Sequence, residues 1–523
     1  MSDSPYLTHP DKPVHTKIVA TIGPASLSPE VLARLIETGV SIFRLNFSHG
    51  DLAGHLTCLR AIRSAADEAG RPIAVMGDLQ GPKLRVTRVP DLDGAGGIDV
   101  KTGTDVLFRR GVEEAFIENG VPVFGSTFDP LFHDVLPGQR VLINDGAVRM
   151  LAVDATKGEE LRCRVTFGGR ISSKKGINLP ESDLNVPALT PRDWECVEWG
   201  VQHGIDYFAL SFVRKPEDVL ELKNRLAGMC PSDRGVHDQG IGLEIPVVAK
   251  IEKPQAVENI EAILAVTDAV MVARGDLGVE MDVAYVPIAQ RLIIRKCMEH
   301  GKPVIVATQM LESMITSATP TRAEATDVAG AVLQGADAVM LSGETAVGKH
   351  PALVVETMRR IIGVTETGAS DFDRVRTRAE LTKLEELPYR SAALAKGARV
   401  IVQESGAKAV VVWSQAGGMA RYLSRTGMTV PIIAYTSSAV SARRMTLYSG
   451  VTPIHVDPPS SGRLRDWTDL VELDLIRLGF ASVGDVAVLI AGKPLGAFRS
   501  QDLLAMLRIG DQNSGFRVND PQS

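Results

Sequence analysis

At 523 residues the chain is too long for a single hydrophobic core, and two or three domains are expected. Its 45% hydrophobic and 23% charged content is that of an ordinary globular protein, and 57 Lys plus Arg against 63 Asp plus Glu leave a net charge of −6. That balance speaks against a basic nucleic-acid or membrane surface, and five scattered cysteines (Cys58, Cys163, Cys196, Cys230, Cys297) without a C-x-x-C pair speak against a disulfide frame or a zinc site.

The polar, proline-bearing N-terminus has no apolar signal core, and no later run is long enough to span a bilayer, so a cytoplasmic protein is expected. Lys17–Ile22 reads as a first strand. A helix follows, with Ser28 as N-cap, Pro29 at its first position, an apolar face of Val31, Leu32, Leu35 and Ile36, and Gly39 at its end. Strands at Ser41–Leu45 and Ile73–Met76 run into N-F-S-H-G and G-D-L-Q-G-P-K-L-R. Further strand starts recur near 207, 247, 269, 303 and 338, the spacing of strand plus helix in an eightfold (β/α) TIM barrel.

The gap from about 73 to about 207 is too long for one such unit and must hold an insert. Between Val86 and about Asn185 the helical period vanishes and strands alternate with turns, among them Asn144-Asp145-Gly146-Ala147 and Lys157-Gly158-Glu159. This predicts a small all-β domain capping the barrel. Past Ile362 a charged, weakly apolar stretch reaches about Pro388. Strand candidates then resume at Ala409–Trp413, Pro431–Tyr435, Thr452–Val456 and Val486–Ala491. The predicted division is a discontinuous barrel over 1–85 and 186–362, a β cap over 86–185 and a C-terminal α/β domain over 363–523.

The densest stretch runs from Val247 to Glu280. Val247–Ile251 and Ala269–Ala273 are short apolar runs of the kind buried on both faces of a parallel sheet. A helical spacer with Val257, Ile260, Ile263, Leu264 and Val266 joins them. Charge appears where each run stops: Lys250 and Glu252 on the first, Arg274 and Asp276 on the second. Glu252 and Asp276 suit a hard divalent ion, Lys250 suits developing negative charge, and Gly275 and Gly278 let backbone approach an anion. Other strand ends bring Arg44, Asn46, Ser48 and His49, then Asp78, Lys83 and Arg85, then Thr308 and Gln309, then Ser342 and Glu344. Any one of these has a structural reading as a rim pair or turn residue. Cations gathered with carboxylates at one rim instead suit a multiply charged phosphate substrate bridged by metal.

Seven segments carry a resemblance. T-K-I-V-A-T-I-G-P-A-S from Thr16, F-R-L-N-F-S-H-G from Phe43, K-K-G-I-N-L-P from Lys174 and A-K-I-E from Ala249 are similar to pyruvate kinases. So are M-V-A-R-G-D-L-G from Met271, A-T-Q-M-L-E-S-M from Ala307 and M-L-S-G-E-T-A from Met340, all in that family's order. The resemblance implies phosphoryl transfer from phosphoenolpyruvate to ADP, giving pyruvate and ATP, in a cytoplasmic homotetramer. It implies Glu252 and Asp276 as ligands of Mg2+ (or Mn2+), and Lys250 beside the transferring phosphoryl group and enolate oxygen. Gly275, Asp276 and Thr308 would receive the substrate carboxylate, with Thr308 also on the proton route. Arg44 and Arg85 would neutralise phosphate oxygens, and Asn46, His49, Arg85 and Lys175 would reach the nucleotide.

Two departures bear on ligands. Potassium-requiring members hold that ion through positions matching Asn46, Ser48, Asp78 and the Leu79 carbonyl, and read D-T-K-G-P-E where this chain has D-L-Q-G-P-K. Lys83 is therefore expected to supply the charge, so that K+ is not required. The turn Ser414–Met419 has Ala416 and Met419 where fructose 1,6-bisphosphate-activated members carry hydroxyls, and Gly492–Gln501 lacks their G-x-T-N ending, so little activation by that effector is expected. Two other functions fit part of the pattern: a metal-dependent barrel lyase or aldolase acting on pyruvate, and a non-catalytic metabolite sensor. The first has no use for the K-K-G-I-N-L-P cap, and the second should have lost Lys250 or a metal carboxylate.

Overall fold

Eight short strands, each followed by chain that packs outside it, close into a parallel barrel. They are Lys17–Thr21 (β1), Val40–Asn46 (β2), Ala74–Asp78 (β3), Tyr207–Leu210 (β4), Val247–Ile251 (β5), Ala269–Ala273 (β6), Val304–Ala307 (β7) and Ala338–Leu341 (β8). Their order around the barrel is β1-β8-β7-β6-β5-β4-β3-β2. The computed structural model describes residues 14–91, 96–156, 158–182, 186–229, 244–372, 389–460, 464–493 and 501–510.

Alternation along each strand builds two cores. Val19, Ile42, Met76, Val248, Met271, Ile305 and Met340 fill the interior, while Ile18, Ala20, Phe43, Val75, Val270 and Val306 face the helices. The interior cluster includes Leu447 from the C-terminal unit, which plugs the floor of the barrel. Ser28 caps the first helix as predicted: its side chain accepts from Val31 N, Pro29 stands in the first turn, and Gly39 closes the end at φ 124°.

The structure adds detail to several predicted elements. The spacer between β5 and β6 is two helices, Pro254–Glu258 and Ile260–Val266. They break at Asn259, whose side chain donates to the Arg214 carbonyl at 2.9 Å. The helix Pro351–Phe372 runs into the charged stretch that follows Ile362, of which 373–388 lie outside the described residues. Glu366 on that helix accepts from His15 N, Thr16 N and Thr16 Oγ, each at 2.8 Å, tying it to the entry of β1.

The insert is built of strands, with a seven-stranded sheet and a two-stranded ribbon, plus one unforeseen helical turn at Leu131–Asp134. Its hairpin Arg140–Ile143 and Val148–Thr156 turns through Asn144, Asp145 and Gly146, all at positive φ. Of the second predicted turn, Lys157 lies outside the described residues. The C-terminal unit is a five-stranded sheet of Ala409–Trp413 (β9), Ile432–Thr436 (β10), Val451–His455 (β11), Val486–Lys493 (β12) and Gln501–Arg508 (β13), in the order β11-β10-β9-β12-β13. The last strand, antiparallel to β12, has no counterpart in the predicted elements. Among the described residues no helix is long and apolar enough to cross a membrane. Cys58, Cys163, Cys196 and Cys297 are free thiols, and Cys230 is outside the described residues.

Candidate active site

The C-terminal ends of the strands open into a cleft lined by Arg44, Asn46, Ser48, His49, Lys83, Lys250, Glu252 and Asp276, with Asp145, Gly176 and Asn178 of the insert across from them. Lys250 is its hub. Buried at the end of β5, its ammonium lies 2.8 Å from Glu252 Oε1, 3.2 Å from Asp78 Oδ1 and 2.6 Å from the Ser211 hydroxyl. Asp78, at the end of β3, receives Arg44 Nε at 2.6 Å on its other oxygen. Arg44 in turn reaches Thr21 Oγ1 at 3.2 Å.

These charges hold one another in place. Burial opposes the Lys250 ammonium, yet Asp78 and Glu252 raise its pKa above the ordinary lysine value. Burial likewise opposes the Asp78 carboxylate, and Lys250 and Arg44 overcome it, so Asp78 stays below the usual range. Burial, reinforced by Asp276, pushes Glu252 up despite Lys250. Glu252 Oε2 accepts from Phe212 N at 2.9 Å, with Phe212 at φ 59°.

The second carboxylate stands on a different element. Arg274–Glu280 is a short helix directly after β6, with Asp276 exposed in its first turn. Gly275 donates its N–H to Thr308 Oγ1 at 2.7 Å, so that donor is engaged within the protein. Thr308 and Gln309 both have positive φ, 68° and 56°, a strained state for a β-branched threonine. Arg274 braces them: its guanidinium donates to the Thr308 carbonyl at 2.7 Å and is anchored by Asp327 at 2.6 Å. Glu344 is buried and accepts from Ser342 N and Leu311 N.

Other predicted residues are more scattered. Arg85 and Lys175 flank Leu84 and Gly176, which line the cleft, but Arg85 donates to the Lys174 carbonyl at 2.8 Å. His49 is exposed, and its carbonyl meets the His55 ring. Of the four positions matched to a monovalent-cation pocket, three are engaged internally. Asp78 holds Arg44, the Leu79 carbonyl accepts from Ser211 at 2.7 Å, and Asn46 Oδ1 accepts from Ser48 N at 3.2 Å. Lys83 is exposed on the same cleft. Ser211, the direct partner of Lys250, was not singled out in the sequence; its signal was a lone serine directly after the apolar run Tyr207–Leu210.

As a donor set, Glu252 and Asp276 are hard carboxylate oxygens on neighbouring strand ends, which fits a Mg2+-like ion completed by substrate oxygens and water. Among the described residues no cluster of three or more acidic, histidine or cysteine side chains forms a self-sufficient metal cage.

Residues 14–355 match the family model "Pyruvate kinase, barrel domain", and residues 392–507 match "Pyruvate kinase, alpha/beta domain". A pyruvate kinase of Mycobacterium intracellulare is 40% identical over 499 residues, covering 95% of this chain and 99% of its own length. One of Corynebacterium glutamicum is 39% identical over 496 residues, covering 95% and 98%. Among solved structures, a pyruvate kinase from Cryptosporidium parvum superposes with a TM-score of 0.85 at 31% identity, over 95% of this chain and 96% of that one. The barrel, the C-terminal sheet and the full-length likeness agree, and this chain belongs to the pyruvate kinase family.

Proposed function

We propose that this cleft is where the chain carries out the pyruvate kinase reaction. The bond between phosphorus and the enol oxygen of phosphoenolpyruvate breaks, a bond to a terminal oxygen of ADP forms, and the enolate takes a proton to become pyruvate. The observation that carries the reading is the Lys250 ammonium, buried, charged and held by Asp78, Glu252 and Ser211 at the wall of an open cleft beside Asp276. A fixed cation there offsets charge on the transferring phosphoryl group and on the departing enolate oxygen without reorganising. Arg44, which shares Asp78 with Lys250, neutralises phosphate oxygens beside it. Thr308, beside Gly275, receives the carboxylate and belongs to the proton route.

Glu252 and Asp276 would hold the divalent ion, Mg2+ or Mn2+, which when bound supplies Lewis-acid polarisation of phosphoryl oxygens. Asn46, His49, Arg85 and Lys175 form the nucleotide side, with the insert over 86–185 as a cap that excludes water so that ATP forms in place of free phosphate. Lys83 stands in for potassium, a reading supported by the internal engagement of Asp78, Leu79 and Asn46. The protein works as a cytoplasmic homotetramer; exposed Val283, Tyr285 and Ile288 at 72%, 64% and 66% offer an apolar patch for subunit contact. Sedimentation at micromolar concentration checks the assembly, with a monomer the contrary result.

Lys250→Ala tests the site. Loss of one such donor costs about 3–4 kcal/mol or more, so kcat should fall by ~10²–10³-fold at least, while Mn2+ binding read by paramagnetic resonance persists. A fall below tenfold would remove Lys250 from the mechanism.

A further inference from the structure

At the opposite end of the barrel, between the strand N-termini and the C-terminal unit, lies a second cavity of about 260 Å³. Tyr207 and Asp268 line its barrel side, and Arg421, Arg444 and Tyr448 line the other. We propose that this cavity binds a small phosphate monoester, at a site separate from the catalytic cleft.

Two guanidinium groups there each keep a buried Nε without an acceptor. Arg444 is only 8% exposed; one arm donates to the Glu244 carbonyl at 3.0 Å, and its buried Nε meets nothing. The Nε of Arg421 is buried and unmet as well, and an arm of its guanidinium reaches the Tyr422 hydroxyl at 3.4 Å. Buried N–H donors without acceptors are costly, and an arginine fork matches a phosphate or carboxylate edge. Asp268 does not fill this need. Lys223 holds both its oxygens at 3.0 Å, and Val247 N donates to one of them at 2.9 Å. The Glu244 side chain is exposed. Asp268 is held by Lys223 and Glu244 is the remaining carboxylate of the lining, so the two arginines exceed its unpaired negative charge and favour an anionic occupant. Lys302 registers the same field: burial, and then Arg421, push its ammonium down to about 8. Pro246, Pro303, Met445 and Leu447 add apolar surface to the lining, which suits a short carbon skeleton on the phosphate.

The position gives such a ligand a reach. Ala269 of the lining begins β6, the five-residue strand whose far end leads into Asp276. The neighbouring arginines Arg443 and Arg425 pair with Asp206 and Asp337 at the foot of the barrel, so an anion here would add a further link between the two units.

Calorimetry and thermal melting of the full chain test this, with glycerol 3-phosphate as probe, inorganic phosphate as the bare group and malonate as a dicarboxylate. The expected result is one glycerol 3-phosphate per chain, still bound in Arg44→Gln, where the catalytic cleft is impaired. Affinity should fall at least about tenfold in Arg421→Gln, the loss of a charge-assisted contact. Arg421→Lys keeps the charge and loses the fork, and serves if the glutamine variant is unfolded; its affinity should also fall. No binding to the wild type, binding abolished by Arg44→Gln but kept in both Arg421 variants, or malonate bound equally well would each overturn the proposal. Inorganic phosphate binding as tightly as the ester would overturn the role given to the apolar lining.

Discussion

The two ends of the barrel both gather buried charge, and they treat it differently. At the foot, an aspartate stands directly before each of β4, β6 and β8. Asp206, Asp268 and Asp337 each accept a backbone N–H from the preceding strand, from Val75, Val247 and Val304, at 2.8–2.9 Å. Each also meets cations: Arg63 and Arg443 for Asp206, Lys223 for Asp268, Arg425 for Asp337. These carboxylates are saturated, and they fix strand starts and the seat of the C-terminal unit. At the other end Asp78, Glu252, Arg44 and Lys250 share partners, Asp276 is exposed, and the backbone at Thr308 is strained. Ion pairs that satisfy everything hold a fold, whereas a cluster left open on one side can act on a substrate.

Breaking one pair at each end separates the roles. Arg425→Ala strands Asp337, which is wholly buried, and removing one partner of such a pair costs about 3–5 kcal/mol. Denaturant melts should show that loss while kcat of the folded fraction stays near wild type. A variant of unchanged stability would mean the foot is not a structural joint. Arg274→Gln acts at the other end: it frees the Thr308 and Gln309 carbonyls from their brace. Strain of this kind is worth about 1–3 kcal/mol, so kcat should fall ~5- to 100-fold with a smaller change in KM and little change in melting temperature. Equal losses of stability and activity would count against a positioning role.

Smaller effects sharpen the ligand side. With tetramethylammonium as the sole monovalent cation the wild type should run near full speed, and Lys83→Glu should gain a requirement for potassium. A wild type inactive without potassium would refute the substitution of lysine for the ion. Smallest of all, fructose 1,6-bisphosphate should leave the half-saturating phosphoenolpyruvate concentration unchanged. The turn it would use has Ala416 and Met419, and Ser414 Oγ already accepts from Ala420 N at 3.3 Å. A clear leftward shift on adding the effector would contradict this.

What could be read in advance follows from how each feature is encoded. Val247–Ile251 and Ala269–Ala273 were legible to the residue because buried parallel strands are uninterrupted apolar runs, and charge marks their ends. The strand Gln501–Arg508 was not, since Q-D-L-L-A-M-L-R lacks β-branched residues and its leucines, alanine and methionine favour helix. Tertiary pairing with Val486–Lys493 overrides that preference. The candidate site was legible as a set of charged strand ends, but its connections were not. Neither the contact of Ser211 with Lys250 nor the brace of Arg274 on Thr308 has any sequence spacing to announce it. The three aspartates at the foot do have one, the patterns D-Y-F-A-L, D-A-V-M-V and D-A-V-M-L, and attention to strand ends alone passed over strand starts.

Pyruvate release from phosphoenolpyruvate, followed with lactate dehydrogenase and NADH in the presence of Mg2+, with and without ADP, tests the central claim most directly. The account predicts turnover that is strictly ADP-dependent and yields one ATP per pyruvate. Pyruvate released at an equal rate without ADP would point to the lyase-like alternative, and no turnover under any cation would point to a sensor; either result would contradict phosphoryl transfer at this cleft.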